Sequence, residues 1–254
     1  MLLAVDIGNT NIVMGLFNGD RLLKSWRLST FIGRTADELE VLLSQMWSAA
    51  GYNSRDIRGV AVACVVPPVL DRVIKCIENV CSVKPLIVGP GIKTGIKILL
   101  DNPRELGADR IVNAIAAYER YKSGVIVVDF GTATTFDCVS PDFEYLGGAI
   151  APGIDISLKA LVKSTAQLPN VDITRPASVL GKSTVQGIKS GIYYGYTGLV
   201  DGLVEKLKAE LKFHCHVLGT GGMARIIATE SSQIEDYDEL LTLTGLRLLF
   251  ERNC

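Results

Sequence analysis

One unusual turn occurs twice in this chain, and it limits the possible folds more than any other feature. Val5-Asp6-Ile7-Gly8-Asn9-Thr10-Asn11 follows the apolar run 2–5, and Asp129-Phe130-Gly131-Thr132-Ala133-Thr134-Thr135 follows the run 125–128. Each places a carboxylate at the end of a buried strand, then a glycine that lets backbone N–H groups approach a ligand, then hydroxyl or amide donors. Two such turns, one per half, are what a clamp on phosphates needs.

The segments around the turns follow one plan. A strand at 2–6 leads to apolar stretches at 12–17 and 21–28 around Asn18-Gly19-Asp20, a hairpin signal, so a three-stranded meander is expected. Residues 35–50 carry Leu39, Leu42, Leu43, Met46 and Trp47 at helical spacing, with Thr35 and Glu38 as a capping-box pair. A strand at 60–66 ending at Pro67-Pro68, a helix at 70–81 and a short strand at 85–88 complete a βββαβαβ order. After a helix at 105–121 the scheme restarts with strands at 125–129, 135–140 and 144–150. Helices at 153–163 and 183–211, a strand at 214–218, a glycine turn at 219–222, a short helix and a last helix at 239–252 follow. The expected architecture is a duplicated α/β fold with a cleft between the copies, divided into 1–120 and 121–254.

Composition excludes more than it identifies. With 254 residues, 48 % of them hydrophobic, the chain can bury a large core, and a formal net charge of −1 offers no electrostatic footprint for nucleic acid or an anionic membrane. The first residues lack a basic region and a long apolar run, so no signal peptide is expected, and no stretch is long enough to span a bilayer. Six cysteines without a CxxC pair read as reduced thiols in a cytoplasmic protein.

Three near-motifs carry little. Gly219-Thr220-Gly221-Gly222-Met223-Ala224 imitates a dinucleotide fingerprint, but too little chain follows to supply the strand and acid such a site needs. Glycines on which a flat adenine can lie fit that turn better. Gly181-Lys182-Ser183-Thr184 resembles the end of a P-loop, yet Pro176 stands where glycine is required and no strand precedes it, so a helix start capped by Ser183 is expected. His214 and His216 share one strand face, without a third histidine or a nearby acid in the sequence to complete a metal site.

With two DxGxT-like turns and a Gly-Gly turn in this order, the chain resembles the sugar kinase, heat-shock ATPase and actin superfamily, a pair of ribonuclease-H-like domains. Within it, Asp101-Asn102-Pro103-Arg104-Glu105-Leu106-Gly107-Ala108-Asp109-Arg110 tightens the match. Together with Asp6-Ile7-Gly8-Asn9-Thr10-Asn11, Gly147-Gly148-Ala149-Ile150-Ala151-Pro152-Gly153 and Leu241-Thr242-Leu243-Thr244-Gly245-Leu246, that segment is similar to type III pantothenate kinases. The resemblance runs from residue 1 to about 250 and implies ATP-dependent phosphorylation of the primary hydroxyl of pantothenate, the first step of coenzyme A synthesis.

The resemblance also implies roles for individual residues. Asp109 maps onto the general base; read alone, it is a carboxylate serving a helix N-terminus, worth about 0.3–1 kcal/mol. Leu100, Gly107, Ala108, Arg110 and, from a second subunit of a homodimer, Thr184 line the pantothenate site. A solvated arginine and a helix cap are the alternatives for Arg110 and Thr184. Asp6, Ile7, Gly8, Asn9, Thr10, Asn11, Ile12 and Val13 surround the nucleotide phosphates, with Asp6 holding hydrated magnesium or simply capping its turn. Gly131 and Thr132 form the second phosphate contact, Gly221 and Gly222 the adenosine contact, and Asp129 the ligand of a potassium or ammonium ion. Leu100 stands where the family usually has tyrosine, which keeps an apolar wall and loses a hydroxyl. Helix 183–211 carries Ile188, Ile192, Tyr193, Tyr196, Leu199, Val200 and Leu203, which suits a subunit interface or a central helix packed on all sides. A phosphohydrolase of the same fold, acting on polyphosphate or a nucleotide tail, and an ATP-switched regulatory protein are the competing functions.

Overall fold

The computed structural model describes all residues, Met1–Cys254. In chain order the first elements are β1 (Leu2–Ile7), β2 (Asn11–Asn18), β3 (Arg21–Ser29), α1 (Ala36–Ala49), β4 (Gly59–Cys64), α2 (Pro67–Cys81), β5 (Leu86–Ile87), β6 (Lys97–Ile98) and α3 (Ala108–Tyr121). The remainder are β7 (Val125–Phe130), β8 (Ala133–Val139), β9 (Glu144–Pro152), α4 (Ile154–Lys163), α5 (Thr184–Leu211), β10 (His216–Gly221), α6 (Ala224–Ala228), β11 (Asp236–Tyr237) and α7 (Leu241–Asn253). Two compact units result: Met1–Gly95 with Asn102–Ala116 and Thr242–Cys254, and Ile96–Asp101 with Ala117–Leu241.

The first unit is built on a sheet of order β3-β2-β1-β4-β5. β1, β2 and β3 form an antiparallel meander, and β4 and β5 join in parallel. The meander turns at Gly19, whose φ of +60° is the left-handed conformation that a tight hairpin requires. β1 and β4 lie inside the sheet, which is why both are almost wholly apolar: Leu3, Val5, Ile7, Val60 and Val62 have no exposed surface. α1 starts on the capping box, with Glu38 N–H donating to Thr35 Oγ1 (3.2 Å) and Thr35 N–H to Glu38 Oε2 (2.7 Å). A cap of this kind is worth about 1 kcal/mol. Its Leu39, Leu43 and Trp47 join Val69, Val73 and Ile77 of α2 in the first core.

The second unit repeats this topology. Its sheet runs β11-β10-β7-β8-β9-β6, so β9-β8-β7-β10-β11 corresponds strand for strand to β3-β2-β1-β4-β5, with β6 added beyond β9. β7, β8 and β9 are antiparallel neighbours, while β10 is parallel to β7 and β11 to β10. Ile126, Val128, Phe136 and Val217 form the second core with Tyr193, Tyr196, Val200 and Val204 of α5. The same-plan reading of the two halves therefore holds at the level of sheet order and strand direction.

Several details depart from the sequence expectation. The compact units are not contiguous halves divided near residue 120, because segment 96–101 and α7 change places. α7 belongs to the first unit through close packing: a Cβ on Gly245 would lie 2.2 Å from Val112 O, and one on Gly59 would lie 2.1 Å from Phe250. Thr242 Oγ1 also bonds Asn113 Oδ1 at 2.8 Å. α2 begins at Pro67 rather than residue 70, since proline suits the first helical positions that have no N–H partner. Gly219 to Gly221 are the end of β10, not a turn, and Gly219 is buried. The short strands β6 and β11, two residues each, carry no period to read. No helix is long and apolar enough to cross a membrane. All six cysteines are free, and burial pushes the Cys76 and Cys81 thiols up to about 12 and about 11, which leaves them unreactive.

Candidate active site

Each unit presents its share of the proposed residues at the ends of its central strands. In the first unit β1 leads into a turn closed by Gly8 N–H donating to Asn11 O (3.0 Å) and anchored by Thr30 Oγ1, which donates to Gly8 O (2.6 Å). Asn9 and Thr10 are exposed, so their amide and hydroxyl can face a ligand. Ile7 and Ile12 are buried in the core, so any contact they make with a nucleotide comes from backbone, while Val13 is partly exposed. Asp6 sits between Val13 of β2 and Ala63 of β4, and its charge contributes to the raised pKa of the Cys64 thiol after the larger effect of burial.

The segment carrying Asp109 is organised from its first residue. Asn102 Oδ1 accepts from Arg104 N–H (3.3 Å) and Asn102 Nδ2 donates to Glu105 Oε1 (2.8 Å), which folds Pro103–Glu105 into one 3-10 turn. Leu106 is buried, Gly107 O accepts from Ile111 N–H to open α3, and Asp109 Oδ1 accepts from Arg110 N–H at 2.8 Å. The carboxylate folds back over Gly107 so closely that a Cβ there would sit 2.5 Å from Asp109 Oδ1. That position is also 3.8 Å from Val65 Cγ1, and Val65 N–H donates to Ile7 O (3.0 Å), so Val65 joins this segment to the end of β1. Burial raises the Asp109 pKa, opposed by the Arg110 N–H and guanidinium. A partly buried carboxylate with a raised pKa has the character of a general base.

In the second unit the end of β7 and the glycine-rich end of β10 lie side by side, because the two strands are parallel neighbours with Asp129 opposite Thr220 and Phe130 opposite Gly221. Gly221 has φ of +87°, and the space of its missing side chain is bounded by Asp129 Oδ1 and Phe130 O, each 2.6 Å from where a Cβ would be. A carboxylate oxygen and a carbonyl oxygen thus crowd the Gly221 backbone, leaving no room for a side chain there. Gly131, Thr132 and Gly222 are exposed around it. Leu100 lies across from Gly147, 3.5 Å from the position of a Cβ there, in the same unit.

Ser183 Oγ caps α5 by accepting from Gln186 N–H (3.3 Å), so Thr184 is exposed at the first helical position without being the cap. Gly181 packs on the backbone of Gly187 rather than forming a phosphate loop. Of the apolar residues of α5 that suggested an interface, Ile192, Tyr193, Tyr196, Leu199, Val200 and Leu203 lie in or against the second core. His216 bonds Glu235 Oε2 through Nδ1 (2.8 Å) and stacks on Tyr121, so the missing acid is supplied from 19 residues downstream. No group of three potential metal ligands among His, Cys, Asp and Glu occurs in the chain. The residues that sequence reasoning missed are supports: Thr30, Val65 and the carbonyl of Phe130. Only their place beside the turns in the folded sheet identifies them.

The repeated β3-β2-β1-β4-β5 topology is a fold shared with solved sugar kinases. A Streptomyces griseus ROK family glucokinase, solved with glucose and AMPPNP, superposes with a TM-score of 0.55 at 11 % identity, covering 99 % of both chains. Component A of the Acidaminococcus fermentans (R)-2-hydroxyglutaryl-CoA dehydratase gives 0.52 at 14 % identity, over 99 % of this chain and 96 % of that one. Residues 2–206 match the family model of type III pantothenate kinases. Proteins named type III pantothenate kinase from Anaeromyxobacter sp. and Myxococcus xanthus are 53 % and 51 % identical over 253 residues, covering all of this chain and 100 % and 99 % of theirs. The chain belongs to the type III pantothenate kinase family.

Proposed function

We propose that Asp109 is the general base of an ATP-dependent phosphorylation of pantothenate. As a pantothenate kinase the protein is a phosphotransferase of coenzyme A biosynthesis that uses ATP. Phosphoryl transfer to an alcohol asks for positioning, charge neutralisation and a group to accept the hydroxyl proton. The observation that carries the reading is the Asp109 carboxylate, held over Gly107 by the Arg110 N–H and raised in pKa by burial.

Arg110 and the Gly107 and Ala108 backbone bind pantothenate beside that base, with Leu100 as the apolar wall. Asn9, Thr10, Asn11, Gly131 and Thr132 donate to ATP phosphates, and Gly221 and Gly222 carry adenosine. Asp6, one partly buried carboxylate at a strand end, suits a magnesium ion that keeps most of its water. Asp129 and Phe130 O suit potassium or ammonium. The bound cations supply charge neutralisation of the phosphates.

A homodimer with Thr184 reaching the partner's pantothenate is supported by the outer face of α5. Gly187, Gly191, Gly195, Gly198 and Gly202 recur there, and a methyl group on any of them would meet nothing within 4 Å. A helix can approach such a face closely. Reduced thiols suit a cytoplasmic setting. The test is ATP consumption with and without pantothenate. Consumption that requires pantothenate supports the kinase; equal consumption in its absence identifies a phosphohydrolase, and none in either case an ATP-switched protein.

A further inference from the structure

The second phosphate turn is supported from outside. Gly153 N–H donates to Thr132 O (3.2 Å), and a Cβ on Gly153 would lie 2.2 Å from Thr132 O and 2.6 Å from Gly131 O. The carbonyls of Gly131 and Thr132 therefore rest against Gly153, while both residues remain exposed. Gly153 is itself fixed through its carbonyl, which accepts from Ser157 N–H (3.0 Å) and from Tyr196 Oη (3.2 Å). Tyr196 Oη also lies 3.0 Å from Pro152 O and 2.5 Å from Ser157 Oγ.

A phenol has one proton. With the phenol proton given to the carbonyls of Pro152 and Gly153, Tyr196 Oη accepts from the Ser157 hydroxyl. Tyr196 is 8 % exposed in the second core, where phenylalanine would fill the same volume. Packing alone does not account for the hydroxyl. Its bonds end on the β9–α4 junction that sits on the phosphate turn.

We propose that Tyr196 is a positioning residue for ATP, holding Pro152 and Gly153 against Thr132 and so fixing the direction of the Gly131 and Thr132 donors. The inference rests on the assignment of that turn to the phosphates. The test compares Tyr196→Phe, Thr132→Ala and the double variant for kcat, for KM of ATP and of pantothenate, and for thermal midpoint. Tyr196→Phe is expected to worsen the ATP kinetics by roughly 2- to 12-fold, the range of one neutral hydrogen bond, with pantothenate KM unchanged. Because both changes act on one turn, the double variant should be little worse than Thr132→Ala alone. Additive losses, or a lowered midpoint with unchanged ATP kinetics, would give Tyr196 a merely structural role. If Thr132→Ala itself leaves ATP kinetics unchanged, the phosphate assignment fails and the role of Tyr196 fails with it.

Discussion

Gly107→Ala should disable the base without disturbing the fold. The added methyl carbon would lie 2.5 Å from Asp109 Oδ1, whereas ordinary contact begins at 3.4 Å, so the carboxylate has to retreat by roughly 0.9 Å. The next neighbours of that methyl, at 3.7 Å and 3.8 Å, are already at ordinary distances, so the strain falls on one short side chain and not on the backbone. A misplacement of about 1 Å in a reacting group can cost on the order of 10²-fold in rate. The expected result is a kcat lowered by about 10²-fold, with ATP affinity measured by calorimetry unchanged and a thermal midpoint close to wild type. Combining Gly107→Ala with Asp109→Asn should cost little more than Asp109→Asn alone, since both remove the same function. A Gly107→Ala enzyme with wild-type kcat would show that the carboxylate position seen here has no part in the reaction.

Four further outcomes are expected. Burial raises the Asp109 pKa, so the acid limb of kcat/KM should fall at a pH above the ordinary carboxylate value of about 4. The same shift means the folded state holds the proton more tightly, so stability declines as pH rises through the folded pKa. Asp109→Asn should therefore melt no lower than wild type at neutral pH, with any advantage vanishing below about pH 4; a wild-type advantage at pH 7 would contradict the sign. If Asp129 and Phe130 O hold a monovalent ion, activity is low in sodium salts and restored by potassium or ammonium, and equal rates at matched ionic strength refute the site. Mixing inactive Asp109→Asn and Thr184→Ala chains should regenerate activity through one composite site; exchanged yet inactive mixtures would place Thr184 outside the partner's site.

Much of this molecule is readable in its sequence where a single element carries its own signal. The Thr35–Glu38 capping box, the Asn18-Gly19-Asp20 hairpin and the Ser183 cap each depend on neighbouring residues, and each forms as expected. The duplicated strand order is readable because both meanders begin at a turn of the same composition. What escaped depends on distant packing. α7 has an ordinary helical pattern, and only the backbone approach of Gly245 to Val112 and of Gly59 to Phe250 assigns it to the first unit. The same holds for β10, whose glycines look like a turn until the pairing of Gly221 with Phe130 extends the strand through them. At the candidate site, Asp6, Asp109 and Asp129 are visible as residues, but the close contacts of Asp109 with Arg110 and Gly107 and of Asp129 with Gly221 appear only in the fold. Most of the apolar residues on α5 pack in or against the second core, and its glycines leave open space along one face.

The most direct measurement is the turnover of Asp109→Asn, followed as phosphorylated pantothenate formed, alongside ATP binding by calorimetry. A general base contributes roughly 10²–10⁴-fold, so kcat should fall by that factor while the dissociation constant for ATP stays within about twofold of wild type. Turnover at the wild-type rate would remove Asp109 from the chemistry and leave it only the service of its helix.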